Sequence, residues 1–443
     1  MKALKSIVSF WCQLSLVRRI LIGMIVGVLL SIVYPAHGWI ELFGAMFVTA
    51  LKGFAPVLVL LLVISSLAMH KKTEDSGVGR IVSLYLISMV LSGTLAVIVS
   101  FVFKPTVVFN SLTVHSTPPG ALSDVVYNLV LSFVKNPVVS VSEGNFIGIL
   151  AAAVLFGIAA NKATDTTKTV LKDIGDAMCR VIAWIVSFAP LGVMGLVYAS
   201  INAGGFQSMK VYGYLVLVLV GTMAASALII IPLIVFWQTG RNPYPLVLRC
   251  LKESGIPAFF TRSSAANIPV NMELCKNLGL DSAIYSVSIP LGATINMSGA
   301  SITITVLTLA AVQTLGINIS WASALLMCIV ATLSACGSSG VAGGSLLLIP
   351  LACSMFGIPA DAAMQVVGAG FVISVIQDSC ETALNSSSDV IFTAAAEMGR
   401  GASRSLKRSA EGPAEPEASA AAEPSMAAGK ASAEPAAPEA DKK

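Results

Sequence analysis

The chain has 443 residues, of which 56% are hydrophobic and only 11% charged, with a net charge of +4 and a mean hydropathy of +0.85. Soluble domains carry about 25% charged residues, so this composition argues against a soluble globular enzyme. The small positive excess sits in loops and a tail rather than on a basic face, so nucleic-acid binding has no support.

The N-terminal segment, residues 1–17, reads as a cytoplasmic lead-in. Arg18 and Arg19 precede the first apolar run, which reads as a retained membrane helix. Apolar spans follow at 18–34, 40–69, 81–103, 145–161, 177–200 and 211–237, several long enough to cross a hydrocarbon core of about 30 Å. The loop 104–144 is long, with an amphipathic piece near Asp124–Val134. Three histidines and eight cysteines, with no CxxC pair, give no zinc site or disulfide framework.

Beyond residue 245 the apolar stretches are broken by TRSSAANIPVN at 261–271, GATINMSGAS at 292–301 and SACGSSGVAGGS at 334–345. Non-helical backbone at membrane depth survives only inside protein or beside a cavity, and such interrupted segments point to a transporter's binding site. Residues 245–278 and 318–358 therefore read as re-entrant helical hairpins, followed by full spans at 281–313 and 361–397. The expected fold is all-α: eight transmembrane helices plus two oppositely oriented hairpins. Lysines and arginines up to residue 276 fall mostly on segments placed inside by a cytoplasmic N-terminus. Lys104, Lys135 and Lys210 fall outside, and Lys52 falls within a span. The hairpins then open from opposite sides, as in an inverted repeat. The tail 401–443 is rich in Ala, Glu, Pro, Ser and Lys and reads as a disordered cytoplasmic segment.

No Lys or Arg occurs between Asn277 and Gly399, yet Asp378, Glu381 and Asp389 lie inside the last span. With Asn385, their spacing of i, i+3, i+7 and i+11 places them on one stripe, which Ser374 extends. A charged side chain at the bilayer centre costs about 2.5–3.5 kcal/mol, so three unpaired acids would cost roughly 8–10 kcal/mol. Two readings remain open. A metal ion, protons or an ammonium-bearing substrate meets the stripe, or the acids line a wet vestibule or pair with Arg262 or another distant base. Asn296 adds an amide in a segment expected to be unwound, and carboxylate, amide and carbonyl oxygens suit a hard cation. Hairpin tips such as 262–265 expose backbone N–H groups that attract carboxylates. A substrate with both a carboxylate and an ammonium, such as an α-amino acid, satisfies tip and stripe together. An ion channel with the stripe as its pore is a second class. An intramembrane aspartyl hydrolase is not supported, because Asp378 and Asp389 are eleven residues apart on one helix and a dyad needs carboxylates about 3 Å apart.

Over residues 10–398 the chain resembles the dicarboxylate/amino acid:cation symporter family, which includes the glutamate transporters. The carriers are TRSSAANIPVN, SIPLGATINMSGASI, CGSSGVAGGS and DSCETALNSSSD in order, with NPVVSVSEGNFIGILAAAVLFGIA as a fourth span. The variant residues are most similar to the bacterial sodium-coupled serine/threonine symporter branch. The resemblance implies a homotrimer in a bacterial inner membrane, both termini cytoplasmic. It implies a symporter domain at 18–400, with scaffold spans 1, 2, 4 and 5 and a transport group of spans 3, 6, 7 and 8 plus both hairpins, moving as an elevator. It implies Na⁺ as the coupling ion, with no other cofactor. Asp378 would meet the substrate ammonium; Asn385 and the backbone at Ser263 and Ser264 would hold its carboxylate. Asn385 and Asp389 would join carbonyls of Gly292 and Asn296 around one sodium. A second sodium would use carbonyls near Thr294 and at Ala335, Cys336 and Ser338, with Val341 and Ser345 at the gate.

The departures from the family pattern carry information. Where acid-transporting members place an arginine, this chain has Glu381, and Ala300 replaces a carboxylate-binding threonine. Glu381 repels a second carboxylate, which argues for a small neutral amino acid over an acidic one carried with sodium or protons. Thr382 and Ser298 are placed to hydrogen-bond a small hydroxyl, favouring serine or threonine. Ser298 also replaces the aspartate associated with a third sodium site.

Overall fold

The computed structural model describes residues 14–35, 37–69, 78–109, 127, 130–131, 133–336 and 343–410. Among the described residues there is no β-strand. The helices are α1 (Leu16–Val33), α2 (Gly38–Met69), α3 (Val78–Phe103), α4 (Pro137–Glu143), α5 (Phe146–Ala160), α6 (Asp165–Ser187), α7 (Ala189–Gly204) and α8 (Gln207–Thr239). They continue with α9 (244–261), α10 (Ile268–Asn277), α11 (Ser282–Ile295), α12 (Ser298–Thr314), α13 (Trp321–Ala335), α14 (Ile349–Ser354) and α15 (Ala360–Ala410). Among the described residues, five helices or continuous pairs are long and apolar enough to cross a bilayer, six if α6 and α7 count as one bent span.

The bend between α6 and α7 is 52°, so the expected straight span at 177–200 is instead broken at Phe188. Pro190 in the first turn of α7 has no N–H for a continuing ladder, which favours a new helix start there. The span read at 145–161 is the 15-residue α5, capped by the Asn145 side chain. Most of the amphipathic piece read near Asp124–Val134 lies outside the described residues. The short helix α4 begins behind the Asn136 cap and Pro137, and ends at Gly144 in the left-handed region (φ 67°).

Two groups of helices pack most extensively among themselves. In one, α1 lies on α7, and α2 on α5, α6 and α7. Backbones approach closely here: a Cβ built on Gly195 would lie 2.4 Å from the Gly44 nitrogen, the small-residue packing typical of membrane helices. In the other group α3 lies against α11, α12 and α13, and α8 joins α3 and α12. Helix α12 is buried on every side from Ser298 to Val312, as expected of a core helix with no polar face. Lys52, within α2, forms an ion pair with Asp361 at the start of α15.

Both interrupted regions fold as helix–turn–helix units. In the first, α9 contains a π-helical turn at Leu251–Gly255 and stops at Arg262, whose backbone is left-handed (φ 52°). The chain returns through α10. In the second, α13 starts at the Ser320 cap and the chain returns through a 3₁₀ turn at Leu346–Leu348 and α14. Its tip, including Ser338 and Val341, lies outside the described residues. Compact packing runs to Arg400, while α15 is traced to Ala410, ten residues into the segment read as the tail.

Candidate functional site

The expected acidic stripe is formed by α15. Ser374, Asp378, Glu381, Thr382, Asn385 and Asp389 are all buried. The expected break in the preceding span is also present: α11 ends at Ile295 and α12 begins at Ser298, with Asn296 and Met297 non-helical between them. This break meets the stripe. Asn296 Nδ2 donates to Asp389 Oδ1 at 2.9 Å, to Ser388 Oγ at 2.7 Å and to the Asn385 carbonyl at 3.3 Å. Asn385 Oδ1 accepts from the Gly299 N–H at 2.7 Å.

Asn296 Oδ1 and Asp389 Oδ2 are buried without a protein hydrogen-bond partner. Buried polar atoms are normally satisfied, so orphans this deep require an explanation. An amide oxygen and a carboxylate oxygen on facing side chains are hard donors suited to an alkali cation. Gly292 closes the same space: a Cβ there would lie 2.5 Å from Asp389 Oδ1 and 2.8 Å from the Tyr85 hydroxyl. Tyr85 itself donates to the Ser288 carbonyl at 3.2 Å. The Thr294 hydroxyl donates to Leu291 of its own helix. Ala335 and Cys336 end α13, and the Cys336 thiol points back to the Thr332 carbonyl. No group of three or more His, Cys, Asp or Glu side chains placed to hold a metal ion occurs among the described residues.

Two turns N-terminal to Asn385, at Asp378, the chemistry changes. Arg262, from the first hairpin tip, donates through Nε (2.7 Å) and a terminal nitrogen (2.6 Å) to Asp378 Oδ2. Both side chains are less than a tenth exposed. Of the two open readings of the stripe, pairing with a distant base thus holds for Asp378. The hairpin turn carries that base to the stripe across 116 residues of sequence. The Asp378 Oδ1 lies 3.5 Å from the Gly343 N–H of the second hairpin, so both hairpins converge on one carboxylate.

Glu381 is held differently. Its Oε2 accepts from Thr303 (2.7 Å), Ser345 (2.9 Å) and Gln377 (2.5 Å). A carboxylate satisfied by three neutral donors needs no cation to stay in place. Thr303 and Gln377 escaped the sequence reading, though Gln377 is one helical turn before Glu381 and Thr303 faces it from the all-buried α12. The Ser298 hydroxyl pairs with Ser88 of α3 at 3.0 Å. The Thr382 hydroxyl bonds back to the Asp378 carbonyl. Ser264 is buried at the first tip, and Ser263 Oγ accepts from the Ala266 N–H.

The first hairpin is fastened to α15 by a buried amide and hydroxyl network. Asn267 donates to Ser386 Oγ (2.8 Å), and Asn271 to the Ser386 carbonyl (3.0 Å). Ser254 donates to Asn271 Oδ1 at 2.5 Å.

Comparison with known proteins agrees with this architecture. The sequence signature of the Sodium:dicarboxylate symporter family matches residues 16–398. The chain is 51% identical over 395 residues, 89% of its length and 98% of theirs, to proteins named Serine/threonine transporter SstT from Streptococcus agalactiae serotype III (strain NEM316) and serotype V (strain ATCC BAA-611 / 2603 V/R). This chain belongs to the sodium:dicarboxylate symporter family. It is a transporter, not an enzyme.

Proposed function

We propose that this chain imports small neutral amino acids, serine and threonine foremost, together with sodium across the bacterial inner membrane. The observation that carries the reading is the buried pair of bare oxygens, Asn296 Oδ1 and Asp389 Oδ2, two to three turns of α15 from the charges of Asp378 and Glu381. Asn385 and Asp389, with the Gly292 and Asn296 carbonyls, hold one sodium. The carbonyls near Thr294 and at 335–338 hold a second. Asp378 takes the substrate ammonium. Asn385 and the Ser263–Ser264 backbone take its carboxylate.

Specificity follows from charge. The substrate end of the stripe carries Asp378 and Glu381 against Arg262 alone, a net negative balance that disfavours a second carboxylate. The names of the Streptococcus relatives support serine and threonine as the cargo. The two packing groups support a scaffold of α1, α2, α5, α6 and α7. Against it the remaining spans and both hairpins move as one body in an elevator cycle, within a homotrimer whose termini are cytoplasmic. Sodium couples to substrate because a ligand shifts a conformational equilibrium only through its differential affinity for the two states.

The test is uptake of labelled L-serine into proteoliposomes with and without an inward sodium gradient, with excess L-aspartate as competitor. Sodium-dependent uptake that aspartate leaves intact is expected. Block by aspartate would overturn the charge argument, and uptake indifferent to sodium would overturn the symport.

A further inference from the structure

The Arg262–Asp378 contact enters the scheme above only as a charge balance, and it also bears on how the carrier returns. We propose that Arg262 is a built-in cation that alternates with the substrate's ammonium on Asp378, and that this alternation lets the carrier relocate without an amino acid. The proposal rests on the reading of Asp378 as the ammonium's partner.

Asp378 Oδ2 receives two guanidinium nitrogens at 2.7 and 2.6 Å, so an ammonium cannot share that oxygen without displacing them. The two cations are alternative partners of one carboxylate. Arg262 is tethered for this exchange. It occupies the turn of the first hairpin in a left-handed conformation, at the end of a unit that the Asn267–Asn271–Ser386 network fastens to α15. A tethered cation has a high effective concentration at its site, and a short swing removes it.

A symporter that accumulates substrate must move its site back unloaded. Burying Asp378 with no cation would leave an uncompensated charge, which is strongly unfavourable. Glu381 is already satisfied by Thr303, Ser345 and Gln377, whereas among the described residues the only other donor to the Asp378 carboxylate is the Gly343 N–H at 3.5 Å. Arg262 supplies what Asp378 lacks. With it in place, the second hairpin closes on the same turn of helix through Gly343 and Ser345. With the zwitterion in place, the ammonium does the same work and Arg262 moves aside. Exchange of internal for external serine uses only loaded carriers, whereas net uptake needs the unloaded return. Arg262 therefore matters to net uptake and not to exchange.

The experiment compares two rates in the same proteoliposomes: sodium-driven net uptake of labelled L-serine, and its exchange into serine-loaded vesicles. In wild type both proceed; the absence of both would overturn the transport reading itself and this proposal with it. In Arg262→Gln net uptake is expected to fall about tenfold or more while exchange stays within about twofold, because only the unloaded state loses its cation. Arg262→Lys, which keeps the charge, is expected to recover a net-to-exchange ratio near that of wild type. A parallel loss of both rates in the glutamine variant, unchanged net uptake, or a lysine ratio as low as the glutamine ratio would each overturn the proposal.

Discussion

Asn296, in the break between α11 and α12, and Asp389 of α15 are joined by a 2.9 Å hydrogen bond that uses one nitrogen and one oxygen. Their remaining oxygens are buried without a partner. If these hold sodium, Asp389→Asn removes the only formal negative charge of the set. The expected result is uptake that needs about tenfold more sodium, with serine affinity at saturating sodium little changed. Uptake measured against sodium concentration checks it; an unaltered sodium dependence removes Asp389 from the ion site.

Gly292 presses on the same atoms. Gly292→Ala places a methyl group 2.5 Å from Asp389 Oδ1, and overpacking of this kind costs about 1–3 kcal/mol. A weaker sodium dependence and a lower thermal midpoint are expected together, the second read by fluorescence-detected unfolding in detergent. A variant with wild-type sodium response would show that Asp389 can move without cost.

Asp378→Asn removes the partner of two cations. Uptake and exchange should both vanish. The protein should also lose about 3–5 kcal/mol of stability, because Arg262 is left buried and unpaired. Serine transport with unchanged affinity would rule out Asp378 as the ammonium's partner.

Glu381→Gln tests acid rejection. The amide cannot accept three donors on one neutral oxygen as well as a carboxylate does, and hydrogen bonds to a charged group contribute about 1.5–3 kcal/mol each. Lower stability is expected, together with inhibition of serine uptake by excess L-aspartate, to which wild type is indifferent. Continued indifference in the variant would place the selectivity elsewhere.

Much of this site was legible because membranes make polar residues conspicuous. Asp378, Glu381, Asn385 and Asp389 stood out by spacing alone, and GATINMSG announced a broken helix. Contacts that depend on tertiary packing were not legible. Nothing local in the sequence turns the Ser298 hydroxyl toward Ser88, or brings Thr303 and Ser345 to Glu381. Arg262 was legible as one distant base that could pair with the stripe, but its reach to Asp378 in particular depends on how a hairpin folds back. The bend at Phe188 was hidden for a different reason. Hydropathy reports whether a segment is apolar, and a bent apolar segment scores like a straight one.

The ion pair between Lys52 and Asp361 gives the contact between α2 and α15 a preferred register. Apolar surfaces slide past one another with little change in energy at each step, but two opposite charges do not. A shift of one helical turn, about 5.4 Å, takes the ammonium out of reach of the carboxylate. Both side chains stay substantially exposed (44% and 73%), so a pair of this kind adds at most about 1 kcal/mol to that register. Salt screens so exposed a pair, so the preference it gives to the alignment of α2 and α15 fades as ionic strength rises.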